Sequence, residues 1–204
     1  MSDFQGFCIA AFGTNGTGKT TRCFEFAKAL KKKSIVSTIL VLVPDDDEEM
    51  FEDTREIAEH QVPGLRSGIF KMIVEDPDAC FERLYHDLPP YVCLLVDDAA
   101  AILDTRNPFV MKFMKRRRQK RCHVIMNCHG ASDYPRSLFK NTKEFWIFQT
   151  TDSYKNIADR VQDKNHFGKA VEYVNYLART QDPHAFLRYE LKAPPRIPEI
   201  PSDI

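Results

Sequence analysis

The sequence predicts an α/β fold, a mainly parallel central sheet flanked by helices. Two observations predict it. Short apolar runs alternate with stretches of helical periodicity through most of the 204 residues, the pattern of successive βαβ units. A glycine-rich stretch, GTNGTGKT at 13–20, falls between the first apolar run and the first helical pattern, where a strand turns into a helix. A chain of this length fits one domain, expected over 1–191. A proline-rich extended tail is expected at 192–204.

Each element has its own local reason. FCIAAF (7–12) is the first strand. TRCFEFAKALKKK is the first helix, with Phe24, Ala27 and Leu30 near one face and lysines at its C-terminal end, where cations suit the dipole. STILVLV (37–43) is the second strand, and the acid-rich DDDEEMFEDTREIAEH (45–60) reads as the start of a helix. IFKMIV (69–74) is a strand, followed by the helix DPDACFERLYHDL with Pro77 in its first turn. YVCLLVDD (91–98) is the most apolar strand and ends in two aspartates. NPFVMKFMKRRRQK (107–120) is a helix with Asn107 as cap and Pro108 at its first position. CHVIMNCH (122–129) and EFWIFQT (144–150) are strands. SYKNIADRV places Tyr154, Ile157, Ala158 and Val161 on one helix face, and GKAVEYVNYLART continues the helical part. HAFLRYEL (184–191) is a last strand. The tail KAPPRIPEIPSDI carries four prolines in 13 residues, so it is extended and cannot be helical.

Composition narrows the function classes. The chain is 43% hydrophobic and 28% charged, ordinary for a globular protein. It holds 29 Lys and Arg against 29 Asp and Glu, so no global basic field advertises a nucleic-acid partner, and local patches must carry that argument. Six cysteines lack framework spacing, which points to a reducing compartment. The start MSDFQGF does not read as a signal peptide. No apolar run approaches the roughly 20 residues that span a bilayer. A soluble, cytosolic protein is expected.

GTNGTGKT matches G-x-x-x-x-G-K-[ST] in full. Glycines at 13, 16 and 18 let backbone N–H groups turn inward without Cβ clashes. Those groups and the helix N-terminus suit phosphate. The expected nucleotide contacts are Gly13, Thr14, Asn15, Gly16, Thr17, Gly18, Lys19, Thr20 and Thr21. Lys19 should reach the β- and γ-phosphates of ATP, and Thr20 should ligate Mg²⁺. The alternative is a glycine-rich turn that binds nothing.

A nucleotide hydrolase needs a further carboxylate near the magnesium. Two apolar runs end in acids, ILVLVPDDDEE and VCLLVDDAAA. Pro44 breaks the first, whereas the second runs uninterrupted into its acids, so it is the better Walker B. Asp97 would hold Mg²⁺ through water, and Asp98 would orient the attacking water. The acids at 45–49 also fit a solvated helix N-terminus. An acid directly after the Walker B aspartate suggests a hydrolysing motor rather than a nucleotide kinase. Aspartate there, in place of glutamate, sits about one methylene nearer the backbone, so the water must be held differently.

KFMKRRRQKRCH holds seven Lys and Arg in 12 residues beside an apolar face. Three readings compete. Lys115, Arg116, Arg117, Lys120 and Arg121 could contact nucleic-acid backbone by charge. One arginine could be a finger reaching a neighbour's γ-phosphate. Or the run is a solvated helix end. At the end of the next strand, Asn127 and His129 would lie beside the phosphate loop if the two strands are neighbours. Asparagine there can sense γ-phosphate or position water, or simply cap the strand end. The Cys-His pairs at 122 and 128 lie about 20 Å apart along a strand, too far for one zinc ion.

The order of these parts, with SLFKNTKEFWIFQTTD after them, resembles the FtsK–HerA superfamily of ring-forming, DNA-pumping ATPases. Within it the short chain resembles the genome-packaging ATPases of double-jelly-roll phages and related viruses. The resemblance spans roughly residues 5 to 190. It implies a RecA-like, ASCE-type P-loop NTPase fold. It puts Arg118 at the place of the superfamily's arginine and His129 at that of its strand-end glutamine. Departures are a missing glycine between that arginine and the strand, His for Gln, and Asp98 for Glu. It further implies a homo-oligomeric ring, pentamer or hexamer, with ATP and Mg²⁺ between subunits and double-stranded DNA in the pore. Capsid vertex proteins would be partners, and the location would be the host cytoplasm or the virion vertex. The Zot-like relatives usually carry a membrane span, which this sequence does not show. A P-loop phosphotransferase and a nucleotide-dependent switch without fast turnover are the competing functions.

Overall fold

The computed structural model describes residues 6–45 and 49–200. Its centre is an eight-stranded sheet. The strands are β1 (Cys8–Phe12), β2 (Thr38–Val43), β3 (Arg55–Glu56), β4 (Gly68–Ile73), β5 (Val92–Val96), β6 (His123–Cys128), β7 (Glu144–Phe148) and β8 (Phe186–Glu190). They lie in the order β3-β4-β2-β5-β6-β1-β7-β8, all parallel except β8 against β7. The helices are α1 (Lys19–Lys32), α2 (Pro77–Asp87), α3 (Ala99–Ile102), α4 (Pro108–Arg116), α5 (Lys155–Ala158) and α6 (Lys164–Thr180). This is the α/β architecture expected from the alternation of patterns.

The central strands are largely apolar because both faces are covered. Ile9 and Ala11 face α1, where they pack with Cys23, Ala27, Leu30, Val41, Leu95 and Ile125. Cys8, Ala10 and Phe12 face the opposite layer, with Phe81 and Leu84 of α2, Phe113 of α4 and Phe167 and Val171 of α6. The period of 2 in the strands thus splits the core into two clusters. All six cysteines are free and buried, and burial pushes the Cys8 thiol up to about 11.

Helix starts follow the caps. Asp76 accepts from the N–H groups of Asp78 and Ala79, with Pro77 at the first position of α2. Asn107 accepts from Phe109 N at 2.7 Å and caps α4. Asp163 caps α6 through His166 N at 2.9 Å. That last cap explains why the helical face read at 154–161 stops early. Tyr154, Ile157, Ala158 and Val161 pack inward as expected, but the chain must turn at 159–163 to begin α6.

The expected helix at 45–60 is not there, and residues 46–48 lie outside the described residues. The described part forms a 3₁₀ turn at Glu49–Phe51, the two-residue β3 and a second 3₁₀ turn at Glu59–Gly64. Its buried apolar residues are Phe51, Ile57, Val62 and Leu65, whose spacing makes no helical stripe. Pro63 also withholds an N–H. The acids suggested a dipole-favoured start that no apolar periodicity supports. α4 is likewise shorter than expected, ending at Arg116, with a run of turns to Arg121 at φ +52°. The tail has no helix or strand through residue 200, and Ile197 packs against the core; residues 201–204 lie outside the described residues.

One buried group ties stability to pH. His123 begins β6, is 1% exposed and packs against Phe7, with 3.9 Å between ring centres. Burial, then the nearby Arg117 charge, lowers its pKa from 6.5 to about 4. The folded state therefore binds this proton more weakly than the unfolded chain does. The fold loses stability as pH falls from about 6.5 towards 4, by at most about 1.4 kcal/mol per pH unit from this group. His123→Gln should flatten that part of the urea-midpoint-against-pH curve relative to wild type, and parallel curves would contradict the assignment.

Candidate active site

The loop at 13–20 leaves the C-terminal end of β1, between β6 and β7. Gly13 is held tight: a Cβ there would come within 2.6 Å of Phe148 Cβ and 2.8 Å of the Gln149 carbonyl oxygen. Thr14 N donates to that same carbonyl at 2.8 Å, and Thr17 Oγ1 donates to the Thr14 carbonyl at 2.8 Å. Gly18 stands at φ +81° directly before α1 and gives the helix no side-chain cap. The first turn of α1 has no acid. The opening N–H groups of a 14-residue helix therefore face the cleft without a side-chain acceptor at the cap, the condition in which a helix start binds an anion.

Lys19 is only 7% exposed. Its ammonium donates to the carbonyls of Gly13 at 2.7 Å and Thr14 at 2.9 Å. Burial lowers its pKa, and the Asp97 carboxylate opposes that shift. A buried cation with two carbonyl partners and one nearby anion is poised for further negative charge.

The neighbours of β1 supply the rest. β6 pairs directly with β1, with Asn127 beside Ala11 and Cys128 beside Phe12. The adjacency on which the reading of Asn127 and His129 depended is therefore present. β5 lies next to β6 and carries Asp97 and Asp98 at its C-terminal end. Asp97 Oδ1 accepts from Thr20 Oγ1 at 3.0 Å and from Asn127 Nδ2 at 2.6 Å. Asn127 is 3% exposed, and its Oδ1 is buried without a hydrogen-bond partner. An orphaned acceptor there is costly unless something occupies the cleft.

Asp98 is held apart from this trio. It adopts φ +53°, a left-handed conformation, and caps α3 through Ala101 N at 3.3 Å. Its Oδ2 lies 3.3 Å from His129 Nε2, and His129 Nδ1 lies 2.7 Å from Asn15 Oδ1. His129 thus bridges the phosphate loop to the second carboxylate.

Asn15, Gly16 and Gly18 to Thr21, with Asp97, Asp98, Asn127 and His129, line one cleft of about 550 Å³, while Gly13, Thr14 and Thr17 do not line it. It also touches Pro44, Asp45, Met50 and His184. Asp45, from the rival acid run, is therefore a wall of the cleft, while Asp46 lies outside the described residues. His184 carried no motif signal, since it comes to the loop only through the placing of β8.

The donor set fits magnesium. A threonine hydroxyl and a carboxylate are hard oxygen donors, few in number, and Mg²⁺ keeps several waters of its own. The unpartnered Asn127 Oδ1 beside them can accept from such a water.

The basic run is dispersed. Arg117 is 2% exposed, and its guanidinium donates to the Met114 carbonyl at 2.5 Å and the Asn141 carbonyl at 2.7 Å. It is a structural brace and is withdrawn as a nucleic-acid contact. Lys120 donates to the carbonyls of His86 at 3.2 Å and Leu88 at 2.9 Å, tying down the end of α2. Arg121 bonds the Tyr91 hydroxyl and lies over its ring. Arg116 lies over Tyr85, 5.2 Å from the ring centre. Lys115 and Arg118 are exposed. Arg118 lies in the turn between α4 and β6, five residues before His123 begins the strand, while Asn127 lies about 13 Å further along β6 from His123.

The fold is shared with solved viral NTPase structures, and the loop carries the G-x-x-x-x-G-K-[ST] pattern in full. The chain aligns over 94% of its length with 95% of the genome-packaging NTPase B204 of Sulfolobus turreted icosahedral virus 2 in complex with AMP, at 15% identity and TM-score 0.72. The AMPPCP complex of the same protein aligns with the same coverage, at 13% identity and TM-score 0.70. B204 of Sulfolobus turreted icosahedral virus, described as its DNA-packaging ATPase, aligns at 12% identity and TM-score 0.59, again over 94% and 95% of the two chains. No family model and no curated protein matches the sequence. Among the described residues, no helix is long and apolar enough to cross a membrane.

Proposed function

We propose that this chain is an ATP-hydrolysing motor that drives double-stranded DNA into a preformed viral capsid as a homo-oligomeric ring. The observation that carries the reading is the meeting, in one cleft, of the phosphate loop, the Thr20–Asp97–Asn127 trio and a separately held second carboxylate, Asp98. The end-to-end likeness to viral packaging NTPases supports the task. Their complexes with AMP and AMPPCP support ATP as the nucleotide.

The roles follow from position. N–H groups of residues 15–21 cradle the phosphates, and Lys19 meets the β- and γ-phosphates when its ammonium leaves the Gly13 and Thr14 carbonyls. Thr20 and Asp97 would hold Mg²⁺, which neutralises charge on the phosphate oxygens. Asp98 orients a water for in-line attack on the γ-phosphorus. The new P–O bond forms as the bond to the bridging oxygen breaks, giving ADP and phosphate. His129, between Asp98 and Asn15, couples the phosphate loop to that carboxylate. Arg118, in the turn before the end of β6 that points away from the cleft, serves a neighbour's γ-phosphate. Exposed Lys115 remains for DNA phosphates in the pore, joined by Arg116 and Arg121 when they leave Tyr85 and Tyr91, and capsid vertex proteins are the docking partners.

Asn127→Ala should raise the Mg²⁺ concentration that half-saturates ATP binding by roughly 10- to 100-fold, the scale of lost outer-shell support. Titration calorimetry at stepped Mg²⁺ reads this, and an unchanged Mg²⁺ dependence would remove Asn127 from the metal's surroundings.

The ATPase rate with and without duplex DNA tests the function. Stimulation that weakens with added salt is expected, because phosphate contacts release counterions. Transfer of phosphate to a nucleoside monophosphate would mark a kinase instead. Tight ATP binding without turnover would mark a nucleotide switch.

A further inference from the structure

The cleft has two ends. β2, β5 and β6 lie on one side of β1 and bring the acids; β7 and β8 lie on the other. From that second side the loop between α6 and β8 lays His184 over the phosphate loop. A Cβ built on Gly18 would come within 3.3 Å of His184 Nδ1 and 3.6 Å of its Cγ. Glycine at 18 therefore both permits the turn and makes room for the ring.

His184 is exposed, yet its backbone is fixed. Its N–H donates to Asp182 Oδ1 at 2.8 Å, and Ala185 N donates to the Asp182 carbonyl at 2.9 Å. Two residues on, Phe186 stacks on Phe148, with ring centres 5.1 Å apart and planes at 11°. The Arg22 guanidinium lies 5.6 Å from the Phe186 ring centre. The same Phe148 closes against Gly13. The turn carrying His184 is thus anchored to the phosphate loop at both its glycine ends.

A triphosphate whose γ-phosphate lies at Asp98 runs past the N–H groups of residues 19–21. Its nucleoside emerges beside Thr21, where His184 completes the cleft wall. We propose that His184 is the nucleoside contact of this cleft, its imidazole face stacking on the base. The inference rests on the phosphate-cleft reading above. Stacking accepts any base, because every base has a π-face. Purines, with the larger face, gain most.

The test titrates the full chain with ATP, CTP and inorganic tripolyphosphate, all with Mg²⁺. His184→Ala should weaken ATP roughly tenfold, within the range that loss of base–aromatic stacking spans, and CTP by less. Tripolyphosphate, which has no base, should bind unchanged. His184→Phe should keep ATP affinity within about twofold of wild type, since the stacking face survives. Equal losses for ATP and tripolyphosphate in His184→Ala would show that the ring merely shapes the loop and would overturn the proposal, as would an unchanged ATP affinity. Failure of wild type to bind tripolyphosphate or ATP at all would overturn the phosphate-cleft reading and this inference with it.

Discussion

Lys19→Ala should abolish ATP hydrolysis, lowering steady-state phosphate release by at least roughly a thousandfold, on the scale set by loss of one preorganised charge-stabilising donor. The ammonium is buried at the floor of the cleft, and its two partners are carbonyls of the same loop. Alanine removes the one cation that this chain's own loop sets against the β- and γ-phosphates, just as charge gathers on the γ-phosphoryl oxygens. Low local dielectric makes that loss large. The fold should survive. Two hydrogen bonds are lost, but so is a buried cation whose pKa burial already lowers, and the net change should stay within about 2 kcal/mol. A thermal melt beside the rate measurement separates the two effects. A variant that keeps a tenth of the wild-type rate would contradict the role given to Lys19.

Arg118→Ala should lower turnover by roughly 10³- to 10⁵-fold, the range for removal of an arginine finger, while ATP binding stays nearly unchanged. The asymmetry follows from where the residue sits. Arg118 lies in the turn that leads into β6, and the cleft is at the strand's opposite end, so on the proposed reading it serves a neighbour's nucleotide. The other arginines of the run are engaged: Arg116 over Tyr85, Arg117 on two carbonyls, Arg121 on Tyr91. Among the described residues, no side-chain hydrogen bond or ring holds the Arg118 guanidinium. Mixing Arg118→Ala with Lys19→Ala chains should restore part of the activity, because some interfaces then pair an intact loop with an intact arginine. If mixing restored nothing under conditions where wild-type rings form, a finger acting in trans would lose its support.

Much of this was legible before any coordinates. Strands buried on both faces read as apolar runs, the cap at Asn107 sits before Pro108, and Pro77 marks the start of α2. The loop at 13–20 announced itself because its glycines answer backbone demands that sequence spacing records. The choice of Asp97 and Asp98 over the acids at 45 and 46 rested on strand continuity, and Asp97 does meet Thr20. What stayed hidden depends on strand order. Nothing local says that β6 lies between β5 and β1, so the bonds from Asn127 to Asp97 and from His129 to Asp98 could only be conditional. His184 reaches Gly18 across more than 160 residues of chain. The basic run misled in a different way, since its charges looked alike in sequence, yet Arg117 folds inward to brace Asn141. The acids at 45–49 resembled a helix start, but the buried residues after them make no helical face.

The central claim is movement along DNA, and a triplex-displacement assay tests it most directly. A third strand bound to duplex DNA should be released when the protein and ATP are added. Release should fail with AMPPCP in place of ATP and with the Lys19→Ala chain. DNA-stimulated hydrolysis by wild type that leaves the third strand in place would contradict the account, because the chain would then be a DNA-responsive ATPase that does not translocate.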